Sequence, residues 1–208
     1  MLKHIPNILT FGRLVLTIVF LIMILLAPPY YTDGEVPFPG FLDIAFIIFV
    51  VAGLTDIVDG LAARRLNVTS KLGRMVDPLA DKVLVCGAFI CFAIIGEPKL
   101  FGLGNVALAI IHWLVAGILI AREAYVTVLR HIAEARGVNF AATKSGKIKM
   151  FLQSFAIGTV IIKTAHVQTA AWGNWFTTIT FIIMLTATVI SGFRATQRSC
   201  WKEASANN

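Results

Sequence analysis

The chain has 208 residues, of which 58% are hydrophobic and only 14% charged, and its formal net charge is +7 at pH 7. Soluble domains average about 45–50% apolar and roughly 25% charged residues, so this composition excludes an ordinary soluble protein. The basic excess accords with the cytoplasmic loops of a membrane protein and with anionic lipid, and it gives no reason to invoke nucleic acid.

Apolar stretches of the length needed to cross a bilayer, about 20 residues, follow one another along the whole chain. A backbone in hydrocarbon must satisfy its own hydrogen bonds, and no alternation with period two supports a barrel, so we expect helices. The predicted fold is all-α, a polytopic membrane helix bundle formed by a single domain over residues 1–208. Its six transmembrane helices are expected at about 8–27, 41–62, 76–95, 106–129, 148–167 and 172–193.

Lysine and arginine indicate the orientation of these helices. The connections 27–40, 96–105 and 163–174 carry only two of the 18 basic residues. The positive-inside rule then places both termini, the segment between the second and third helices, and the loop 130–149 in the cytoplasm. At the opposite surface we expect an outer aromatic belt of Tyr30, Tyr31, Phe38, Trp172 and Trp175.

Four aspartates lie at the cytoplasmic ends of the second and third helices. Asp56 and Asp59 are three residues apart and Asp77 and Asp81 are four apart, so each pair shares one helix face. If the two helices are antiparallel neighbours, the four carboxylates converge and repel one another. Their oxygens suit Mg²⁺ or Mn²⁺, so the spacing predicts one or two divalent cations. The alternative is a set of interfacial ion pairs with Arg64, Arg65, Arg74 and Lys82.

Two glycines and an arginine extend this predicted site. Gly60 follows Asp56 by four residues and Gly73 precedes Asp77 by four, so each glycine leaves a gap beside a carboxylate. Arg64, at the end of the second helix, has the planar group that suits phosphate. Cations, gap and arginine together predict a pyrophosphate-binding site.

The same residues form the pattern D-x-x-D-G-x-x-A-R-x₈-G-x-x-x-D-x-x-x-D, which is carried by Asp56, Asp59, Gly60, Ala63, Arg64, Gly73, Asp77 and Asp81. Every position matches the signature of the CDP-alcohol phosphotransferase family, which this chain therefore resembles. The resemblance implies a six-helix membrane enzyme, usually a homodimer, that holds two divalent cations (Mg²⁺ or Mn²⁺). It also implies displacement of CMP from a CDP-linked donor by an alcohol hydroxyl.

The resemblance also implies a role for each residue of the pattern. The four aspartates would be the metal ligands, and Asp81 would in addition be the catalytic base that takes the proton from the attacking hydroxyl. The CDP part of the donor would be bound by Gly60, Ala63, Arg64 and Gly73, with Arg64 on the phosphates.

Three further stretches resemble the bacterial members of the family that form phosphatidylglycerophosphate. IPNILTFGR is similar to P-N-x-L-T-x-x-R, AREAYVTVLR to R-E-I-x-x-x-x-L-R, and AATKSGKIKM to A-A-x-x-x-G-K-x-K-T. Two positions depart from these patterns: Ala124 replaces the usual isoleucine, and Met150 replaces a threonine, which removes a hydroxyl near the expected acceptor pocket. The implied reaction transfers the phosphatidyl group of CDP-diacylglycerol to sn-glycerol 3-phosphate, with release of CMP.

Three cations are expected to bind the phosphate of that acceptor. Arg122 lies inside an apolar stretch, where an arginine is costly unless it is paired or functional. Glu123 is next to it in sequence but points about 100° away around the helix, so we expect Glu123 to be a poor partner for Arg122. Lys147 and Lys149 begin the fifth helix from the cytoplasmic side, and for each the alternative is a role in topology alone.

Other functions agree with part of this pattern. The same reaction could use another acceptor, namely phosphatidylglycerol, inositol phosphate or serine. A divalent-cation transporter would bind its cargo at the aspartates, but these lie at helix ends rather than near the bilayer midplane, and the G-x-x-A-R spacing would have no purpose there. An inactive scaffold is disfavoured by the intact aspartates. The expected location is the cell inner (plasma) membrane, with the active site facing the cytoplasm.

Overall fold

The computed structural model describes the backbone of residues 5–27, 40–66, 71–135 and 144–206, and the side chains of residues 11–27, 40–55, 80–133, 135 and 146–197. Within these residues the regular structure is entirely helical, which confirms the prediction of an all-α fold. Six helices follow in chain order: α1 (Ile5–Leu26), α2 (Phe41–Leu66), α3 (Lys71–Ile95), α4 (Asn105–Ala135), α5 (Lys144–His166) and α6 (Ala171–Ala206).

The helices continue beyond the predicted membrane spans at the end of the bundle where α2 ends and α3 begins, here named the aspartate end. α2 reaches Leu66 and α3 begins at Lys71, so all eight residues of the aspartate pattern lie on helices. The spans were predicted from hydropathy, which indicates what lies in hydrocarbon, whereas a helix ends where its backbone groups find other partners.

At the opposite end, glycines mark the helix boundaries. Gly96 follows α3 with φ 73°, a left-handed conformation that glycine adopts without a steric penalty. The N–H of Glu97 then donates to the carbonyl of Phe92 at 3.1 Å, the bond of a Schellman cap. Gly40, with φ 89°, precedes α2. These turns redirect the chain into the next helix.

Helices α3 and α5 are the central helices of the bundle, because each packs against three others. α1 packs against α2 and α3, α5 against α2, α3 and α6, and α4 against α3 and α6. Lys82, early in α3, bonds to Thr127, late in α4, so these successive helices run antiparallel.

The apolar core lies away from the aspartate end. Phe20 of α1 packs against Phe49 of α2 with ring centroids 5.3 Å apart, and Phe89 of α3 meets Phe181 of α6 at 6.1 Å. All four belong to one buried cluster.

Three helical stretches among the described residues are long and apolar enough to cross a membrane: Asn105–Ala133, Gly146–His166 and Ala171–Gln197. Phe11–Leu26 and Phe41–Thr55 are apolar but shorter. Large apolar side chains such as Ile47, Leu114 and Phe193 are exposed, a surface that soluble monomers rarely present over a wide area. These features identify a membrane protein. Trp172 and Trp175 of the predicted belt are exposed, and Tyr30, Tyr31 and Phe38 lie outside the described residues.

Candidate active site

A cavity of about 210 Å³ lies between α3, α4, α5 and α6 towards the aspartate end. This volume is below the roughly 300–1,000 Å³ of pockets for drug-sized ligands, so it suits a small molecule. Five cations and two carboxylates line it, and the positive excess favours an anion. These charged residues are Asp81, Lys82, Arg122, Glu123, Arg130, Lys147 and Lys149.

Asp81 is held in the cavity wall by an arginine of α1. Nη2 of Arg13 donates to Oδ1 of Asp81 at 2.7 Å, and the Arg13 side chain is 1% exposed whereas Asp81 keeps 32% of its surface. The packing of α1 against α3 brings these residues together across 68 positions of sequence. The N-terminal motif that ends at Arg13 therefore contributes to the placement of Asp81.

Glu123 links two of the cavity cations. Its Oε1 accepts hydrogen bonds from Nη1 of Arg122 at 2.9 Å and from Nζ of Lys149. Nη2 of Arg122 donates to Oγ of Ser191 on α6 at 2.8 Å. The expectation that Glu123 would be a poor partner for Arg122 is therefore wrong. The helical angle sets only the direction of each Cβ, and the long arginine side chain bends back to a carboxylate that Lys149 also holds.

The carboxylate of Glu123 makes the burial of these cations possible. Two like charges 4 Å apart repel by about 4 kcal/mol at an effective dielectric constant near 20. Arg122 and Lys149 are 12% and 7% exposed and contact the same oxygen. Without Glu123, water would therefore screen the repulsion between these two cations only weakly.

Lys82 is oriented from α4. Its Nζ donates to Oγ1 of Thr127 at 2.7 Å, and that hydroxyl donates to the backbone carbonyl of Glu123 at 2.6 Å. Helices α3 and α4 are thus joined beside the charged cavity, and the Lys82 ammonium is kept in its wall.

Four residues predicted for the site come together in this cavity: Asp81, Arg122, Lys147 and Lys149. Lys149 is buried and Lys147 is exposed. Met150, which we expected near the acceptor pocket, also lines the cavity. The remaining predicted residues have side chains outside the described part of the structure, namely Asp56, Asp59, Gly60, Ala63, Arg64, Gly73 and Asp77.

Several residues of the cavity wall were not predicted as site residues. Glu123 belongs to the R-E pattern and could have been found there. Gln153, 1% exposed, follows Lys149 by four residues and therefore shares its helix face. Ser191 gives no such signal, because only the packing of α6 against α4 brings it to Arg122.

Of the four predicted metal ligands, Asp81 is the one whose side chain is described. Asp81 supplies carboxylate oxygen, the donor that Mg²⁺ and Mn²⁺ prefer, and it is partly exposed rather than sealed in the core. The other three predicted ligands lie on the regular helices α2 and α3 at spacings that share a face. Among the described side chains, no cluster of three or more His, Cys, Asp or Glu offers a competing site.

A second cavity, of about 460 Å³, lies between α2, α5 and α6 and is lined mainly by apolar residues. Lys163 is the charged residue in its wall. Nζ of Lys163 donates to the backbone carbonyls of Lys99 at 2.8 Å and Gln168 at 3.4 Å, so this charge anchors two connections between helices. The smaller, charged cavity is therefore the candidate active site.

Comparison with known proteins gives the family of the chain. A sequence model described as CDP-alcohol phosphatidyltransferase matches residues 3–193. The probable phosphatidylglycerophosphate synthase of Mycobacterium tuberculosis is 34% identical over 161 residues, which are 77% of this chain and 67% of that protein. A CDP-diacylglycerol–glycerol-3-phosphate 3-phosphatidyltransferase of Bacillus subtilis is 30% identical over 208 residues, 99% of each chain. As the aspartate pattern predicted, the chain belongs to the CDP-alcohol phosphatidyltransferase family.

Proposed function

We propose that this chain transfers the phosphatidyl group of CDP-diacylglycerol to sn-glycerol 3-phosphate, releasing CMP and forming phosphatidylglycerophosphate. The observation that carries this proposal is the small cavity in which Asp81 lies with Arg122, Lys147 and Lys149. A phosphorylated acceptor needs cations for its phosphate next to the carboxylate that takes the proton from its hydroxyl. An acceptor without phosphate would have no group for those cations to bind. The name of the Bacillus subtilis relative, which matches the chain over its full length, states this reaction.

The residues of the cavity divide the chemistry between them. The primary hydroxyl of glycerol 3-phosphate attacks the β-phosphorus of the donor, a new O–P bond forms, and the bond to CMP breaks. Asp81 accepts the hydroxyl proton as general base. Arg122, Lys147 and Lys149 bind the acceptor phosphate and hold the hydroxyl in place, which supplies the rate advantage of proximity and orientation.

The donor is bound from the side of α2. Arg64 pairs with its phosphates, while Gly60, Ala63 and Gly73 leave room for the CDP group, and the acyl tails stay in the lipid. Two divalent cations, Mg²⁺ or Mn²⁺, would neutralise the diphosphate and the CMP leaving group when bound, and their ligands would be Asp56, Asp59, Asp77 and Asp81.

The same proposal includes the placement of the protein. We infer that one domain, residues 1–208, crosses the inner (plasma) membrane six times as a homodimer. The basic residues favour a cytoplasmic aspartate end and cytoplasmic termini, and this orientation gives the soluble acceptor direct access to the charged cavity. Fusing a reporter that is active only in the cytoplasm to the C-terminus tests the orientation.

The reaction is tested by CMP release from the purified protein in detergent. CDP-diacylglycerol and Mg²⁺ or Mn²⁺ are supplied with one acceptor at a time: glycerol 3-phosphate, phosphatidylglycerol, inositol phosphate or serine. Release that requires glycerol 3-phosphate and is abolished by EDTA is the expected result. Release with another acceptor only would keep the chemistry and refute the proposed acceptor. Metal uptake into sealed vesicles without any CMP release would instead favour the transporter.

A further inference from the structure

Glu123 occupies a position that the proposed chemistry does not use. It lies at the centre of the cation cluster, where a single oxygen accepts hydrogen bonds from Arg122 on the same helix and from Lys149 on α5. All three side chains are largely buried, at 15%, 12% and 7% exposure. One carboxylate oxygen thereby fixes the separation of two cations that come from different helices.

Helix α6 fixes the same arginine from a second direction. Nη2 of Arg122 donates to Ser191, whose own hydroxyl donates to the carbonyl of Thr188 at 2.9 Å. The side chain of Arg122 packs against α6 beside Gly192, where an added Cβ would be in ordinary contact with its Cγ at 3.4 Å. The guanidinium is therefore held by acceptors on α4 and α6 before any ligand binds.

The charge of the cavity wall shows what this arrangement leaves for a ligand. Glu123 is shared by Arg122 and Lys149, and Asp81 pairs with Arg13, which is not one of the five cations of the wall, so the wall keeps an excess of positive charge. A planar guanidinium beside an ammonium, held at a set distance, matches the oxygens of a phosphate monoester, whose two or three acceptor oxygens can bond to both groups.

We infer that Glu123 is a positioning residue of the acceptor site: its carboxylate holds Arg122 and Lys149 side by side as a preformed two-cation clamp for the phosphate of the acceptor. This inference rests on the proposed function, because it assumes that the cavity takes a phosphorylated acceptor. A positioning role and simple charge compensation predict opposite changes in phosphate affinity when Glu123 is neutralised. If Glu123 only competed with phosphate for the two cations, its neutralisation would tighten phosphate binding; a positioning residue, once neutralised, weakens it.

The test compares Glu123→Gln and Glu123→Asp with the wild type in the full-length protein in detergent. Binding of inorganic phosphate, measured by calorimetric titration, reports on the clamp without turnover, and KM for glycerol 3-phosphate and for CDP-diacylglycerol follow from CMP release. Since a misplacement of about 1 Å can cost up to about 100-fold, we expect Glu123→Gln to raise both the Kd for phosphate and KM for glycerol 3-phosphate about 10- to 100-fold. KM for the donor should stay within about twofold, and Glu123→Asp should recover part of the loss.

Glu97→Gln is the matched control, because Glu97 lies beyond the far end of α3, and it should leave all three constants unchanged. If Glu123→Gln does not fold, Ser191→Ala removes only the second support of Arg122 and should weaken phosphate binding in the same direction. Unchanged or tighter phosphate binding in the foldable variant overturns the inference, and so does a wild type that binds no phosphate. Failure of the proposed function would look different: the wild type would bind phosphate yet release no CMP with glycerol 3-phosphate.

Discussion

Helix α5 carries two buried lysines with different surroundings. Lys149 and Lys163 are both buried, but Lys149 pairs with Glu123 in the charged cavity, whereas Lys163 bonds to backbone carbonyls of two connections. Burial alone therefore does not indicate what a lysine does. Their surroundings differ, because Lys149 lies among other cations in the cavity wall while Lys163 holds two connections between helices.

We expect Lys149→Met and Lys163→Met to differ in their effect on acceptor binding. Lys149→Met should raise KM for glycerol 3-phosphate at least tenfold, and it should also lower Tm, because it removes one partner of the largely buried Glu123 carboxylate. Lys163→Met should keep KM and lose about 1.5–3 kcal/mol of stability, the usual worth of hydrogen bonds made by a charged group. KM for glycerol 3-phosphate and the thermal unfolding of each variant test these expectations. A loss of acceptor affinity in Lys163→Met would contradict the structural role of Lys163.

Asp81 and Asp56 should also be separable by substitution. Asp81→Asn removes the proposed base, so we expect a loss of turnover with much of the donor affinity kept. Asp56→Asn and Asp81→Asn should both weaken binding of Mn²⁺, because both carboxylates are proposed as metal ligands, but only Asp81→Asn should stay inactive at saturating Mn²⁺, since it also removes the base. Mn²⁺ titration and turnover at saturating Mn²⁺ measure this difference. Recovery of turnover by Asp81→Asn at saturating Mn²⁺ would refute the base role of Asp81.

The residues of the cavity differ in how far the sequence predicts their place there. The place of Arg122 in the cavity wall could be predicted because a cation inside an apolar stretch is unusual. Lysines beside a span are common on the cytoplasmic side, so Lys147 and Lys149 were selected only through the motif AATKSGKIKM. The contact between Arg122 and Glu123 was not predicted, because the angle between neighbouring residues of one helix does not show that Lys149, from another helix, holds the Glu123 carboxylate in place. Ser191 and the pairing of Arg13 with Asp81 depend on which helices are neighbours, and no spacing along the chain contains that information.

Gly87 of α3 permits a close approach between α1 and α3. A Cβ at Gly87 would stand 2.7 Å from Cδ1 of Leu21, whereas a Cβ at Gly117 of α4 would meet nothing within 4 Å. The same two helices carry Arg13 and Asp81, so their separation sets whether this ion pair can form.

We expect Gly87→Leu to push α1 away from α3. Overpacking of this kind costs about 1–3 kcal/mol, and the displaced Arg13 should lower CMP release several-fold. Gly117→Leu is the control, and it should be neutral or gain up to about 1 kcal/mol from better helix propensity. Thermal unfolding measures the stability of both variants, and initial rates measure their CMP release. A Gly87→Leu protein as active and stable as the control would show that Leu21 moves aside freely.

The elements themselves were largely predictable. Apolar stretches identified the location of all six helices, because hydrocarbon demands internally bonded backbone. Their ends were not, since α2 continues to Leu66 and α6 to Ala206 in segments whose hydropathy no longer indicates a span.

The stability of the whole molecule depends on pH partly through the connection 96–104. Burial raises the pKa of the Glu97 carboxyl, and the hydrogen bond from the N–H of Lys99 and the charges of Lys99 and Lys163 lower it by less. A carboxyl with a raised pKa in the folded state binds its proton more tightly there. Its contribution to stability is therefore fully present below its ordinary pKa and is lost as the pH rises through the raised value.

We expect Glu97→Gln to lose this contribution, so that its Tm rises relative to the wild-type Tm as the pH increases through this window. Thermal unfolding of both proteins in detergent, in steps upward from about pH 4, measures the difference in slope. Parallel profiles for the two proteins would show that Glu97 is not the group responsible.

The ion pair between Arg13 and Asp81 also has a consequence for biogenesis. Because its two residues are 68 positions apart, at a synthesis rate of about 5–20 residues per second the aspartate follows the arginine by roughly 3–14 seconds. The first helix must therefore enter the bilayer before its partner exists. The ion pair waits for the third helix to leave the ribosome, and a nascent chain stalled before that point cannot form it.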